Sequence, residues 1–169
     1  MTTAELLADA LGRVREVVHE ATDNLTADQL AYRPTPTANS IAWLIWHLTR
    51  ITDDHIAAVA GVEQTWTAGG WARRFELPFD DAAHGYGHGP QDVAAVRVRT
   101  GELLTGYHDA VYQRTLRYLP GLTDQDLDRV VDTSWDPPVT LGVRLVSVIS
   151  DDLQHVGQAA YLRGLITVR

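Results

Sequence analysis

Apolar residues return every three or four places in four separate stretches of this 169-residue chain, and breaks bearing proline or glycine part each stretch from the next. That period lays apolar side chains along one face of a helix, where a strand would need strict alternation. In the first stretch Leu6, Leu7, Leu11, Val14 and Val18 carry the pattern; Thr3 is placed to cap a helix running to about Asn24. Ile41, Leu44, Ile45, Leu48, Thr52, Ile56 and Val59 carry the second, from about Ser40 to Ala60, with Gly61 as its stop. Pro90 opens a third, predicted to run unbroken to about Leu119 with Val93, Val96, Leu103, Leu104, Tyr107, Val111 and Leu116 inward. Thr140 caps the fourth, which extends to about Leu165 with Gly164 near its end. No convincing strand competes, so the expected fold class is all-α, a four-helix bundle with short extra helical turns.

Between the helices, LTADQL from residue 25 is echoed by LTDQDL from residue 122, and each echo precedes a proline-bearing loop and a long helix. A repeated helical hairpin and a chance match both explain it. Residues 61–89 lack a sustained period and are rich in glycine and aromatics, which predicts a long, partly ordered loop serving as a lid or as one wall of a site. With 45% apolar residues, the length suits one domain over residues 1–169. A net charge of -8 argues against nucleic acid or an anionic membrane as partner. The amphipathic start, with Glu5, Asp9 and Glu16, is unlike a signal peptide, and no run of roughly 18 apolar residues occurs, so the cytoplasm is expected.

Two residue types are missing. The chain has no cysteine, which excludes disulfides, thiolate ligands and a thiol nucleophile of its own. All 14 basic residues are arginines, which excludes lysine Schiff-base chemistry and a P-loop lysine. Any catalysis runs on His, Asp, Glu, Ser, Thr, Tyr or Arg, or on something bound.

SDDLQHVGQAAYLRG, residues 150–164, sets Asp151 and His155 four places apart on one stripe of the fourth helix, beside its apolar face. His47 holds a corresponding flank of the second helix, about two turns before Asp54. One helical turn spaces two side chains to meet a single ion, and a third ligand from a second helix completes a common divalent-metal arrangement. Two imidazoles and a carboxylate suit zinc with an open position, and also iron, nickel or manganese. An Asp and a His four apart also form ordinary ion pairs on many helices. The residues alone leave both readings open.

NSIAWLIWHLTRITDDH at 39–55 and VTLGVRLVSVISDDLQHVGQAAYLRG at 139–164 resemble the DinB-like (YfiT-like) metalloenzyme superfamily, in particular its actinobacterial branch that includes the mycothiol-dependent maleylpyruvate isomerases. The resemblance extends over nearly the whole chain. It implies that His47, ending an N-S-x-x-x-L-x-x-H motif, is one metal ligand. Asp151 and His155 supply the others, from a motif in which His or Glu stands four places before a His followed by x-G-Q. The departure is Asp151, whose carboxylate is a methylene nearer the backbone than that of glutamate. Direct ligation, ligation through water and a weakened, often empty site all remain open. The implied cofactors are a divalent metal, zinc before nickel, iron or manganese, and mycothiol as thiol co-substrate.

Other residues are candidates for supporting or substrate contacts. Asp54 can accept from a ligand imidazole, and Gln158 can orient a ligand or bound water. Trp71 can wall a pocket, and Arg73 and Arg74 can hold an acidic substrate or thiol. His84, Tyr86 and His88 read as solvated loop residues, His55 as a core histidine, and Arg144 and Arg163 as partners of local acids, Asp151 and Asp152 among the candidates. Three functions follow. The first is a metal-dependent transferase, isomerase or hydrolase that activates a small thiol or water against a small electrophile. The second is a non-catalytic metal- or ligand-binding stress protein with a decayed site. The third is a homodimer scaffold, drawing on Trp43 and Trp46 on the outer side of the second helix.

Overall fold

Caps decide where the helices of this chain begin. The computed structural model describes residues 1–167, and α1 spans Thr3–Thr22. Its cap is Thr2 rather than the expected Thr3. Glu5 stands three places after Thr2, so the Thr2 hydroxyl accepts from the Glu5 amide while the Glu5 carboxylate accepts from the Thr2 amide at 2.7 Å. Such a cap contributes about 1 kcal/mol. The echoed hexapeptides adopt the same device. Thr26 and Gln29 box the start of α2 (Ala27–Leu30), and Thr123 and Asp126 box a 3-10 turn over Asp124–Asp128.

The Ser40 hydroxyl accepts from the Trp43 amide to start α3 (Ile41–Ala60), which ends at Gly61 with φ 66. Residues 61–89 contain two short helices, α4 (Thr65–Ala68) and α5 (Trp71–Phe75). The expected unbroken third helix is two: α6 (Pro90–Ala95) and α7 (Gly101–Tyr118). Between them Val96 and Val98 are buried while Arg97 and Arg99 are exposed, the alternation of an extended segment. At its end, a side chain on Gly101 would come within 2.7 Å of the Thr22 carbonyl, so the chain passes tightly over the end of α1. A small antiparallel pair, β1 (Val130–Asp132) and β2 (Val139–Thr140), corrects the expectation of no strand; the apolar runs were too short to signal it. Thr140 then caps α8 (Leu141–Thr167), its hydroxyl accepting from the Val143 amide.

The fold is predominantly helical. Both α3 and α1 pack against α8 on one side and α7 on the other. Val14, Val18, Leu44, Leu48, Leu104, Tyr107, Val156 and Ala159 meet in the core between them, and Ile56, Leu141 and Leu145 close a second cluster. Residues 41–50 of α3 are buried all round. Trp43 and Trp46, expected on an outer face, are 6% and 1% exposed because the segment after α5 lies over them: Phe79 and His88 pack on Trp46. They offer no free aromatic patch for a dimer. Among the described residues no helix is long and apolar enough to cross a membrane.

Candidate functional site

On α8 the pair Asp151–Asp152 splits in two directions, as adjacent positions about 100° apart on a helix must. Asp152 turns inward, is 1% exposed and faces the Thr52 hydroxyl at 3.0 and 3.1 Å; burial holds its carboxyl well above the usual carboxylate range. Asp151 turns into the groove between α3 and α8, where His155, one turn on, brings Nε2 to 3.5 Å from its Oδ1. From α3, His47 meets them. The imidazoles of His47 and His155 lie 4.9 Å apart at 72°, and one ligand atom from each of His47, Asp151 and His155 falls within 4.8 Å of the others.

His47 is 5% exposed, and its ring is held on two sides. The indole of Trp43 stacks on it at 4.5 Å, and Nδ1 lies 2.5 Å from the backbone carbonyl of His84. A carbonyl oxygen only accepts, so the proton sits on Nδ1 and the lone pair on Nε2. Burial lowers the His47 pKa below the ordinary histidine value, against the opposing pull of that hydrogen bond, so the ring is neutral near pH 7. Two atoms of the other residues, Asp151 Oδ2 and His155 Nδ1, are buried without a hydrogen-bond partner among the described residues. Leaving such polar atoms unmatched costs about 1–3 kcal/mol each. A cation held between these three side chains would satisfy the orphaned oxygen, and the side chains of Asp151 and His155 keep 31% and 19% exposure as a way in. These residues fit a divalent ion of the zinc type.

The other candidates lie elsewhere. Asp54 accepts from Gln64 Nε2 at 2.7 Å and sits 3.8 Å from His55 Nδ1, so its bonds go to the chain leading into α4 and not to a triad imidazole. Gln158 is exposed one turn beyond His155, lining a cleft of about 340 Å³ with Asn39, Leu44, Tyr161 and Leu162. Trp71 packs against Tyr107 of α7 at 5.6 Å, and Arg74 stacks on Trp71 at 4.5 Å. Arg73 and Arg74 are exposed, and this cluster borders a cleft with Arg114 and Arg117 on α7. The structure does not bring it to the triad.

Three local expectations are corrected. His55 is half-buried rather than core, with Arg144 3.4 Å from its Nε2; burial, then Arg144, lowers its pKa. Arg144 pairs with an acid as expected, but with Asp132 of β1 at 2.6 Å, whereas Arg163 donates to the Asp23 carbonyl. His84 and His88 are not free loop residues: the His84 backbone holds His47, and His88 Nδ1 accepts from Trp43 Nε1 at 3.2 Å. Only Tyr86, 83% exposed, behaves as expected.

Sequence reasoning missed Arg50 and Gly85. Arg50 is fully buried on α3, donating from Nε to the Ala83 carbonyl at 3.0 Å and from Nη2 to the Asp81 carbonyl at 3.1 Å. Gly85 has φ +96, and a side chain there would meet His47 Nδ1 at 2.5 Å. An arginine three places after His47, inside an apolar helix, was the available signal for the first. The second had none beyond its glycine-rich surroundings.

Comparison with known proteins agrees over the whole length. The family model described as mycothiol-S-transferase matches residues 6–168. A crystal structure of a conserved protein from Enterococcus faecalis is similar at a TM-score of 0.93 and 34% identity, over 100% of this chain and 99% of that one. No curated protein matches.

Proposed function

The chain belongs to the mycothiol-S-transferase family, and from that premise we propose that it is a metal-dependent enzyme that sets a small thiol of the mycothiol type, or water, against a small electrophile. His47, Asp151 and His155 hold the ion in this reading, zinc ahead of nickel, iron or manganese. The observation that carries it is the meeting of the three ligand atoms within 4.8 Å, with the buried Asp151 Oδ2 left without a partner. When bound, the ion supplies Lewis acidity that lowers the pKa of a thiol or water at its open position.

The chain's own groups do the rest. His47 presents the Nε2 lone pair because its Nδ1 proton is committed to His84. Asp151 adds an oxygen ligand to the two imidazole nitrogens. The absence of cysteine fits a protein that takes its thiol from solution. Gln158, at the cleft beside His155, is the candidate to orient the organic part of a substrate, with Asp54 as a more distant support. Trp71, Arg73 and Arg74 are candidates for an acidic group reaching as far as α7. We read the whole chain as one DinB-like helical bundle domain.

The test is metal analysis of tag-free protein beside His47→Ala and His155→Ala, with consumption of a chlorinated aryl electrophile followed in the presence and absence of mycothiol. The reading expects about one ion per chain in the wild type, little in either variant, and a thiol-dependent rate that both variants lose. Near-zero metal in all three proteins would overturn it. Metal without any thiol- or water-dependent turnover would leave a binding protein.

A further inference from the structure

We propose that Arg50 is the positioning residue of this centre: it fixes the segment 81–84 so that the His84 carbonyl meets His47 Nδ1, and so sets which nitrogen of His47 is presented and where. The inference rests on the metal-binding reading above.

Arg50 is 0% exposed, although a buried guanidinium is far costlier than an apolar side chain of its size. Its partners show what it holds. The nearest carboxylate, Asp53 Oδ2, lies 3.9 Å away and is committed to the Trp66 amide at 2.7 Å and the Tyr107 hydroxyl at 2.9 Å. The close hydrogen bonds of the guanidinium go instead to chain that covers α3: the carbonyls of Asp81 and Ala83, and Gln64 Oε1 at 2.6 Å. Trp66 lies under it, 5.0 Å from its ring centroid to the guanidinium carbon.

Arg50 stands three places after His47, so the two side chains leave neighbouring positions on one face of α3. Together they grip one strip of backbone. Arg50 takes the carbonyls of residues 81 and 83, and His47 takes that of residue 84. Gly85 completes the clamp, because the strip runs so close to the imidazole that a side chain there would stand 2.5 Å from Nδ1. A planar fork spreads its donors over three nitrogens, so two carbonyls and an amide oxygen are each met from a separate atom, whereas a lysine ammonium gathers its donors on one nitrogen.

The experiment measures zinc affinity by chelator competition, and the visible absorption of the Co²⁺-loaded protein, for wild type, Arg50→Lys, Arg50→Met and Gly85→Ala. Arg15→Met, which removes the distant pair with Asp109 on α7, serves as a control for lost stability alone. The proposal expects zinc affinity to fall about 10- to 100-fold in both Arg50 variants and in Gly85→Ala, with an altered cobalt spectrum, while Arg15→Met binds as the wild type does. Should Arg50→Met not fold, Arg50→Lys and Gly85→Ala carry the test. Wild-type affinity and an unchanged cobalt spectrum in a folded Arg50→Lys would overturn the positioning role and leave the metal reading standing. A wild type that binds neither ion would end the metal reading, and the positioning role with it.

Discussion

The indole of Trp43 lies flat on the imidazole of His47, ring centroids 4.5 Å apart and planes 13° from parallel, and meets His155 edge-on at 6.0 Å. One ring therefore restrains two of the three candidate ligands, and its own Nε1 is tied to His88. Removing it in Trp43→Ala is expected to cost about 3–5 kcal/mol in urea unfolding and to weaken zinc binding, because both imidazoles gain freedom. Trp43→Phe keeps the stack and loses the hydrogen bond, for about 1 kcal/mol. Zinc affinity in a folded Trp43→Ala equal to that of wild type would show that the stack does not restrain the ligands.

An ion held at the triad, as proposed, would link metal to stability. Without metal, Asp151→Ala removes a partly exposed contact worth at most about 1 kcal/mol and also relieves the orphaned Oδ2, so it should not destabilise the protein. With zinc about 100-fold above its dissociation constant, the wild type is expected to gain about 2.7 kcal/mol, read as a melting point higher by roughly 5–10 °C. Asp151→Ala, His47→Ala and His155→Ala should lose that gain, and Asp151→Glu should keep it. Differential scanning calorimetry with and without zinc checks both halves, and a zinc-induced shift that survives in His155→Ala would place the ion elsewhere.

The helical period made most of the fold legible, because a 3.6-residue repeat leaves little choice of element once the breaks are marked by proline and glycine. It misled at residues 96–100, where the helical spacing of Val93 and Val96 was carried across VRVR, whose own alternation is that of an extended segment. It also misled at Trp43 and Trp46. Helical periodicity gives a face but not what covers it, and here a stretch without any period covers it.

The three side chains that meet between α3 and α8 were legible, and what supports them was not. His47, Asp151 and His155 announce themselves through side chains at helical spacing. Beside the Trp43 indole, what holds His47 is backbone: the carbonyl of His84, in a glycine-rich stretch whose neighbouring carbonyls an arginine grips. A backbone acceptor has no letter of its own in a sequence. Asp54 shows the converse, since an acid at the right spacing takes a nearer donor in Gln64.

A third prediction concerns acid. His108 is buried on α7 with Nδ1 unpartnered, and burial lowers its pKa from the ordinary 6.5 to about 4. Above pH 6.5 the ring is neutral in both folded and unfolded chains. As pH falls below that value the unfolded chain takes up a proton that the folded one refuses, so stability declines until the folded ring also titrates near pH 4. The loss is on the order of 3 kcal/mol over that window. In His108→Leu the difference between urea midpoints at pH 7 and pH 4.5 should shrink accordingly; an unchanged difference would assign the acid sensitivity to other groups.

A fourth concerns Asp53, where three elements are fastened to one carboxylate. Its oxygens accept from the amides of Thr65 and Trp66 at the start of α4 and from the Tyr107 hydroxyl of α7, and the carboxylate is 2% exposed. Asp53→Ala leaves those donors without their acceptor and the buried Arg50 without its nearest carboxylate, and should cost about 3–5 kcal/mol. Tyr107→Phe removes one donor and keeps the rest, at about 1 kcal/mol. In the double variant the phenol is no longer there to be orphaned, so its cost should fall short of the sum by about 1 kcal/mol, a coupling that urea unfolding of all four proteins measures. Because the α4 cap also places Gln64, which holds both Arg50 and Asp54, Asp53→Ala should loosen the cover over His47 as well. Hydrogen exchange at the amides of residues 81–86 should then rise more in Asp53→Ala than in Tyr107→Phe. Equal exchange in the two would mean that the carboxylate secures α4 and α7 without reaching the site.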